Sequence, residues 1–75
     1  MANEYELTKD EKVSIIITHL KNLSGQKYNC EISLAEENSL EDPSEDILNN
    51  LNLQYQSVNT KINALENKLA EVLGQ

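Results

Sequence analysis

The sequence predicts an all-α fold, an antiparallel two-helix hairpin of the coiled-coil type that self-associates. Apolar residues recur at alternating steps of three and four in two stretches of similar length, separated by one proline-containing turn. The chain has 75 residues and a single cysteine, Cys30, so an internal disulfide is excluded. A core this small rarely supplies more than ~3–5 kcal/mol, which makes helix packing and a partner chain the expected sources of stability.

The first helix is predicted over residues 8–40 of a hairpin that spans 8–75, after a flexible tail of residues 1–7. Thr8 and Glu11 have the spacing of a capping box, in which each side chain accepts from a backbone N–H of the other residue. Positions in one helical stripe then follow at steps of three and four. They are Val13, Ile16, Leu20, Leu23, Lys27, Cys30 and Leu34.

Residues 24–34 permit two interpretations. Gly25 interrupts the helical pattern, and apolar residues alternate after it, as in a strand, at Tyr28, Cys30, Ile32 and Leu34. Cys30 and Leu34 also keep the helical spacing, however, and a lone strand would have no partner in this chain. We therefore favour a helix that continues to about residue 40.

The turn is predicted at residues 41–43 and the second helix at residues 43–73. Asp42 is the expected N-cap, Pro43 the first helical residue, and Glu45 the carboxylate that reaches back to the cap. Gly74 can end the helix in the left-handed conformation. The apolar stripe of this helix is Leu48, Leu51, Tyr55, Val58, Ile62, Leu65, Leu69 and Val72.

The two stripes are predicted to form the hairpin seam, with the numbers of facing residues summing to roughly 82. This register pairs Leu20 with Ile62 and places Lys27 opposite Tyr55, where lysine can bury its stem and keep its amine in water.

Several apolar residues lie off the seam: Ile15, Ile17, Tyr28, Ile32, Leu53 and Leu73. An uncovered apolar face is a candidate contact surface. We predict partner contacts at Ile17, Tyr28 and Ile32.

The chain is acidic, with thirteen Asp and Glu against six lysines and a net charge of −7. Such a charge opposes binding to nucleic-acid phosphates and to anionic membranes. The longest apolar run, IIIT, is too short to span a bilayer, and no cationic leader followed by an apolar stretch opens the sequence. We expect a cytoplasmic location.

Six carboxylates fall within eleven residues around the turn: Glu36, Glu37, Glu41, Asp42, Glu45 and Asp46. We call this set the acidic corner. It lacks the spacing of a calcium-binding loop. It is interpreted either as a solvated tip or as a docking patch for a basic protein, with Glu41, Asp42 and Glu45 as the contact residues.

No catalytic, metal or cofactor site is predicted. His19 has no acid–base companion at helical spacing, and Cys30 faces the apolar stripe, where cysteine commonly acts as a small hydrophobic residue. One cysteine and one histidine make a structural zinc site unexpected. We therefore expect a protein that is not an enzyme and binds no small-molecule ligand.

The layout resembles that of short helical proteins encoded by tailed bacteriophages, including phages of marine cyanobacteria. The likeness rests on NEYELTKDEK at residues 3–12, SLAEENSLEDP at 33–43 and VNTKINALENKLAEV at 58–72. It implies a setting in the host cytoplasm or the virion without an assigned activity. Small phage proteins of this shape include assembly factors, virion components and inhibitors of host proteins.

The favoured function is that of a non-enzymatic structural or interaction protein, which mediates oligomerisation or assembly with a larger complex such as a phage virion. The alternative is a small acidic inhibitor that binds a basic surface of a host protein. The expected partners are proteins, further copies of the chain included.

Overall fold

Two long antiparallel helices and the corner between them form the fold. The computed structural model describes residues 5–75, in which α1 spans Lys9–Asn38 and α2 spans Glu45–Leu73. The predicted all-α hairpin is confirmed, and residues 24–34 are helical within a described range that has no strand. The predicted tail falls partly on residues 1–4, which lie outside the described residues.

The capping box at the start of α1 is confirmed. The Thr8 hydroxyl accepts from the Glu11 backbone N–H at 3.2 Å, and the Thr8 backbone N–H donates to Glu11 Oε1 at 3.0 Å. Hydrogen bonding of the Glu11 carboxylate by the Thr8 backbone N–H, and secondly by the Thr8 side chain, holds the pKa of Glu11 below its ordinary value. Local sequence alone therefore defines this helix end.

The predicted start of α2 is wrong by two residues. Asp42 and Pro43 stay in the connection, and the N-cap is Ser44, whose hydroxyl accepts from the Ile47 backbone N–H at 3.3 Å. The first helical residue is consequently Glu45 rather than Pro43. Together with the end of α1 at residue 38, this lengthens the predicted turn of residues 41–43 to a connection of residues 39–44.

A carboxylate from the other helix explains the shifted cap. Glu37, in the last turn of α1, accepts from the Ser44 backbone N–H at 2.8 Å. The sequence predicts Glu45 for this reach-back role, and the prediction is wrong. Since the bond crosses the corner, it couples the end of α1 to the start of α2. The spacing of neighbouring residues within one helix does not predict such a bond.

The end of α2 also differs from the prediction. Gly74 has φ −80° and ψ −6°, a right-handed conformation, instead of the left-handed one. Lys9 Nζ, from the start of α1, donates to the carbonyls of Leu73 and Gln75 at 3.1 Å each. A lysine from the other helix thus satisfies carbonyls at the end of α2, where its positive charge also complements the helix dipole.

The seam contains the side chains that the spacing predicted. All of the apolar residues named above for the two stripes are buried or half-buried. Within residues 5–75 four side chains are buried, and they are Ile16, Cys30, Val58 and Val72. Lys27 Nζ lies 5.5 Å from the centre of the Tyr55 ring, which confirms this facing pair and adds a cation–π contact.

One seam leaves a large surface. The radius of gyration is 17.5 Å, against about 11 Å for a compact domain of this length. The accessible surface is 5895 Å², whereas about 4,650 Å² is typical of a folded monomer of 8.5 kDa. The hairpin therefore buries less of itself than a compact monomer does.

We expect Leu20→Ala to lower the free energy of unfolding by about 1–3 kcal/mol, below the full range for a buried leucine because Leu20 is half-buried. Urea unfolding followed by circular dichroism measures the change. Leu53→Ala, at a side chain that is 63% exposed, is the matched control and should change stability by less than about 0.5 kcal/mol. Equal effects of the two substitutions would contradict the seam.

The observed cap makes a second prediction. Ser44→Ala should cost about 1 kcal/mol because it leaves the Ile47 N–H without its acceptor. Asp42→Ala should be close to neutral by the same urea assay. If Asp42→Ala lowered the free energy of unfolding more than Ser44→Ala, the N-cap would be Asp42 and the observed cap would be contradicted.

Candidate protein-interaction surfaces

The first candidate surface is an apolar stripe on the outer face of α1, formed by Ile17, Tyr28 and Ile32. Their side chains are 40%, 63% and 41% exposed, so the hairpin leaves all three uncovered, as the spacing indicated. The three residues span about 22 Å of the helix, and Lys21, Ser24 and Gly25 lie between Ile17 and Tyr28 on the same face. The role of the stripe in binding stays a prediction.

Gly25 lies within this stripe and keeps the helix backbone accessible. It is on the same side of α1 as Ile32, seven residues later, and a Cβ built on it would meet nothing within 4 Å. Its φ is not positive, so no feature of the hairpin itself requires glycine here. Glycine at such a position costs about 1 kcal/mol relative to alanine.

The second candidate surface is the acidic corner. Glu41 and Asp42 lie exposed in the connection, and Glu45 is exposed at the first position of α2. Glu37 is turned inward to Ser44, as described above. The ion pair found in the described chain, between Lys68 and Glu71 at 3.6 Å, lies elsewhere, so the charge of the corner is not neutralised by lysine.

A third surface, which we call the grooved flank, runs along one side of the seam. Near the middle of the hairpin it has a depression of roughly 430 Å³ beside the buried Cys30 and Val58. A second depression of roughly 300 Å³ lies at the open end, where α1 begins and α2 ends. The polar walls of the first come from both helices: Gln26, Asn29, Ser33, Gln54, Ser57 and Lys61.

The grooved flank follows from helical geometry and from small side chains. Gln26 and Ser33 each precede a seam residue of α1, and Gln54 and Lys61 each precede one of α2, so all four lie on the same side. Small residues such as Ser33 and Cys30 do not fill the space between the helices. Sequence reasoning missed this groove, although the small residues beside the seam were its signal.

The charged side chains that line the two depressions are lysines. Lys61 borders the central one, and Lys12 and Lys68 border the one at the open end. Residues on the opposite side of the seam include Glu31, whose carboxylate accepts from the Tyr55 hydroxyl at 3.4 Å, and Glu66. In a chain of net charge −7, the groove thus presents Lys12 and Lys61, whereas Lys68 is in an ion pair with Glu71 at 3.6 Å.

The structure does not bring the predicted contact residues into one site. The stripe occupies the outer face of α1, whereas Glu41, Asp42 and Glu45 gather at the corner. The grooved flank belongs to neither set. The hairpin consequently offers three separate surfaces rather than one pocket.

Comparison of the chain with protein-family models, with curated proteins and with solved structures finds no match. Within residues 5–75, no group of three or more His, Cys, Asp and Glu side chains is placed to hold a metal ion. Neither helix has an apolar stretch sufficient to cross a membrane. The three surfaces are therefore the features of the hairpin that bear on its function.

Proposed function

We propose that the protein is a non-enzymatic assembly component, a helical hairpin that associates with further helices of its own kind or of a larger complex such as a phage virion. The observation that carries the proposal is the uncovered apolar stripe on α1. Ile17, Tyr28 and Ile32 remain at least 40% exposed in a chain that buries only four side chains among its described residues. Exposed apolar side chains that share one helix face form a candidate contact surface for another helix.

The shape of the hairpin supports the same proposal. A two-helix fold shields each helix along one line, and α1 carries apolar residues both at that line and on its outer face. A helix that is apolar on two sides suits a position between its own partner and another helix. Gly25 would let a second backbone approach closely at the centre of the stripe.

The acidic corner favours a second candidate function, an inhibitor that binds a basic protein surface. In the described chain none of its exposed carboxylates forms an ion pair with a lysine. Glu41 and Asp42 also contribute no described hydrogen bond to the fold. Under this candidate, salt should weaken partner binding strongly, because exposed charges are screened at the ionic strength of the cell. Reversal of Glu41, Asp42 and Glu45 to lysine should then abolish binding.

The assembly proposal predicts the effect of replacing Ile17, Tyr28 and Ile32 together by glutamine, a good helix former. The wild-type chain should sediment above the monomer mass at micromolar concentration, and the immobilised chain should retain a reproducible set of proteins from a host lysate. The triple variant should keep its helical circular dichroism and lose most of that set.

Leu53→Gln is the matched control, since Leu53 is as exposed as Tyr28 but lies on α2. It should retain the wild-type set of proteins. A stable helical monomer that retains the same proteins with or without the stripe would rule out the proposal. Loss of binding on reversal of the corner alone would establish the inhibitor instead.

A further inference from the structure

We infer that the grooved flank binds a second copy of the chain, with the two hairpins antiparallel, in a four-helix dimer of two-fold symmetry. The inference rests on the proposed function and names one of its partners. The open end of each hairpin, with Lys12 and Lys68, would lie on the acidic corner of the other. Three independent features of the flank support this arrangement.

The first feature is the distribution of charge along the hairpin. The half that contains the corner, residues 26–56, carries seven carboxylates and one lysine, a formal charge of −6. The other half carries five of the six lysines and has a formal charge of −1. A parallel pair would place the two corners side by side, whereas an antiparallel pair places each corner on the lysines of its partner. Charge complementarity therefore selects the antiparallel orientation.

The second feature is the composition of the flank at its centre. In a two-fold dimer, residues near the axis meet their own copies. The central depression is walled mainly by Gln26, Asn29, Gln54 and two serines, whose side chains both donate and accept hydrogen bonds. Such a side chain can hydrogen-bond to its own copy in the partner hairpin. Lysines and carboxylates repel their own copies, and one charged side chain, that of Lys61, is among the residues that line this depression.

The third feature is the match of apolar side chains at the two ends. The depression at the open end is lined partly by Leu7 and Ile15, which are 44% and 45% exposed. At the corner, Ile47 is 47% exposed and occupies the same side of α2 as Gln54, seven residues later. An antiparallel partner brings this apolar corner residue toward the apolar open end, so both become covered.

The flank is large enough for a specific dimer. It is about 45 Å long and roughly 20 Å wide across two helices, an area on the order of 900 Å². Standard protein interfaces bury about 800 Å² on each partner. Because the apolar stripe on α1 is not part of the flank, the dimer would keep Tyr28 free for the larger assembly.

Cysteine cross-linking tests the geometry. In a Cys30→Ala background, Gln26→Cys lies near the proposed axis and should form a disulfide-linked dimer under mild oxidation. Ser24→Cys, on the opposite side of α1, is the matched control and should not cross-link. A parallel pair would place residue 26 opposite α2 of the partner, away from its own copy.

Charge reversal tests the orientation without touching the seam. Lys12→Glu with Lys68→Glu should raise the dimer Kd roughly tenfold or more, because four charge contacts become repulsive. Adding Glu36→Lys and Glu41→Lys to the same chain restores the wild-type net charge and should restore the Kd. Lys21→Glu, on the opposite flank, should have little effect, and high salt should reduce the differences.

The outcomes separate this inference from the proposed function. A chain that associates, but in which Gln26→Cys fails to cross-link or the lysine reversals leave the Kd unchanged, overturns the antiparallel dimer and leaves the assembly proposal intact. A chain that stays monomeric at all concentrations overturns the dimer, and it overturns the assembly proposal as well only if the stripe variant still retains the same proteins. Cross-linking at residue 26, with loss and rescue by the two charge sets, establishes the dimer.

Discussion

A single apolar seam between two helices is the constraint on which the rest of the structure depends. Helices of 30 and 29 residues, held together along one line, can bury only those side chains that face each other. Ile16, Cys30, Val58 and Val72 lie along that line, and other seam residues are half-buried. A fold with so little interior has modest stability of its own, and apolar side chains elsewhere on the helices necessarily remain in water.

The two helix ends show how the fold adds polar contacts to this seam. Glu37 crosses the corner to the backbone of Ser44, and Lys9 crosses the open end to the last carbonyls of α2. Between them, Lys27 lies over Tyr55. These contacts tie the helices at both ends and in the middle, and they maintain the register that also creates the grooved flank and the outward stripe of α1.

Features set by neighbouring residues in one helix could be predicted from the sequence. The Thr8–Glu11 capping box, the two stripes and the opposition of Lys27 to Tyr55 all follow from local spacing and one register. Asp42 was predicted as the cap because its spacing suits one, and the carboxylate that decides otherwise belongs to α1. The left-handed end predicted at Gly74 is also wrong, and there too the side chain in contact with the helix end, Lys9, belongs to α1.

The candidate surfaces divide in the same way. Exposure of Ile17, Tyr28 and Ile32 follows from helical periodicity, so sequence alone could place them off the seam. The sequence signals the groove only through the small residues beside the seam, because the groove depends on the space that Cys30 of one helix and Val58 and Ser57 of the other leave between them. Which protein covers a surface depends on the partner as well, and periodicity carries no information about that.

The central claim is that a hairpin with one seam is stabilised further by association. Thermal unfolding by circular dichroism, recorded over a hundredfold range of protein concentration, tests it most directly. Because association favours the folded chain by mass action, the midpoint should rise with concentration while the initial helical signal per residue stays constant. A midpoint independent of concentration, in a chain that is fully helical throughout, would contradict the account.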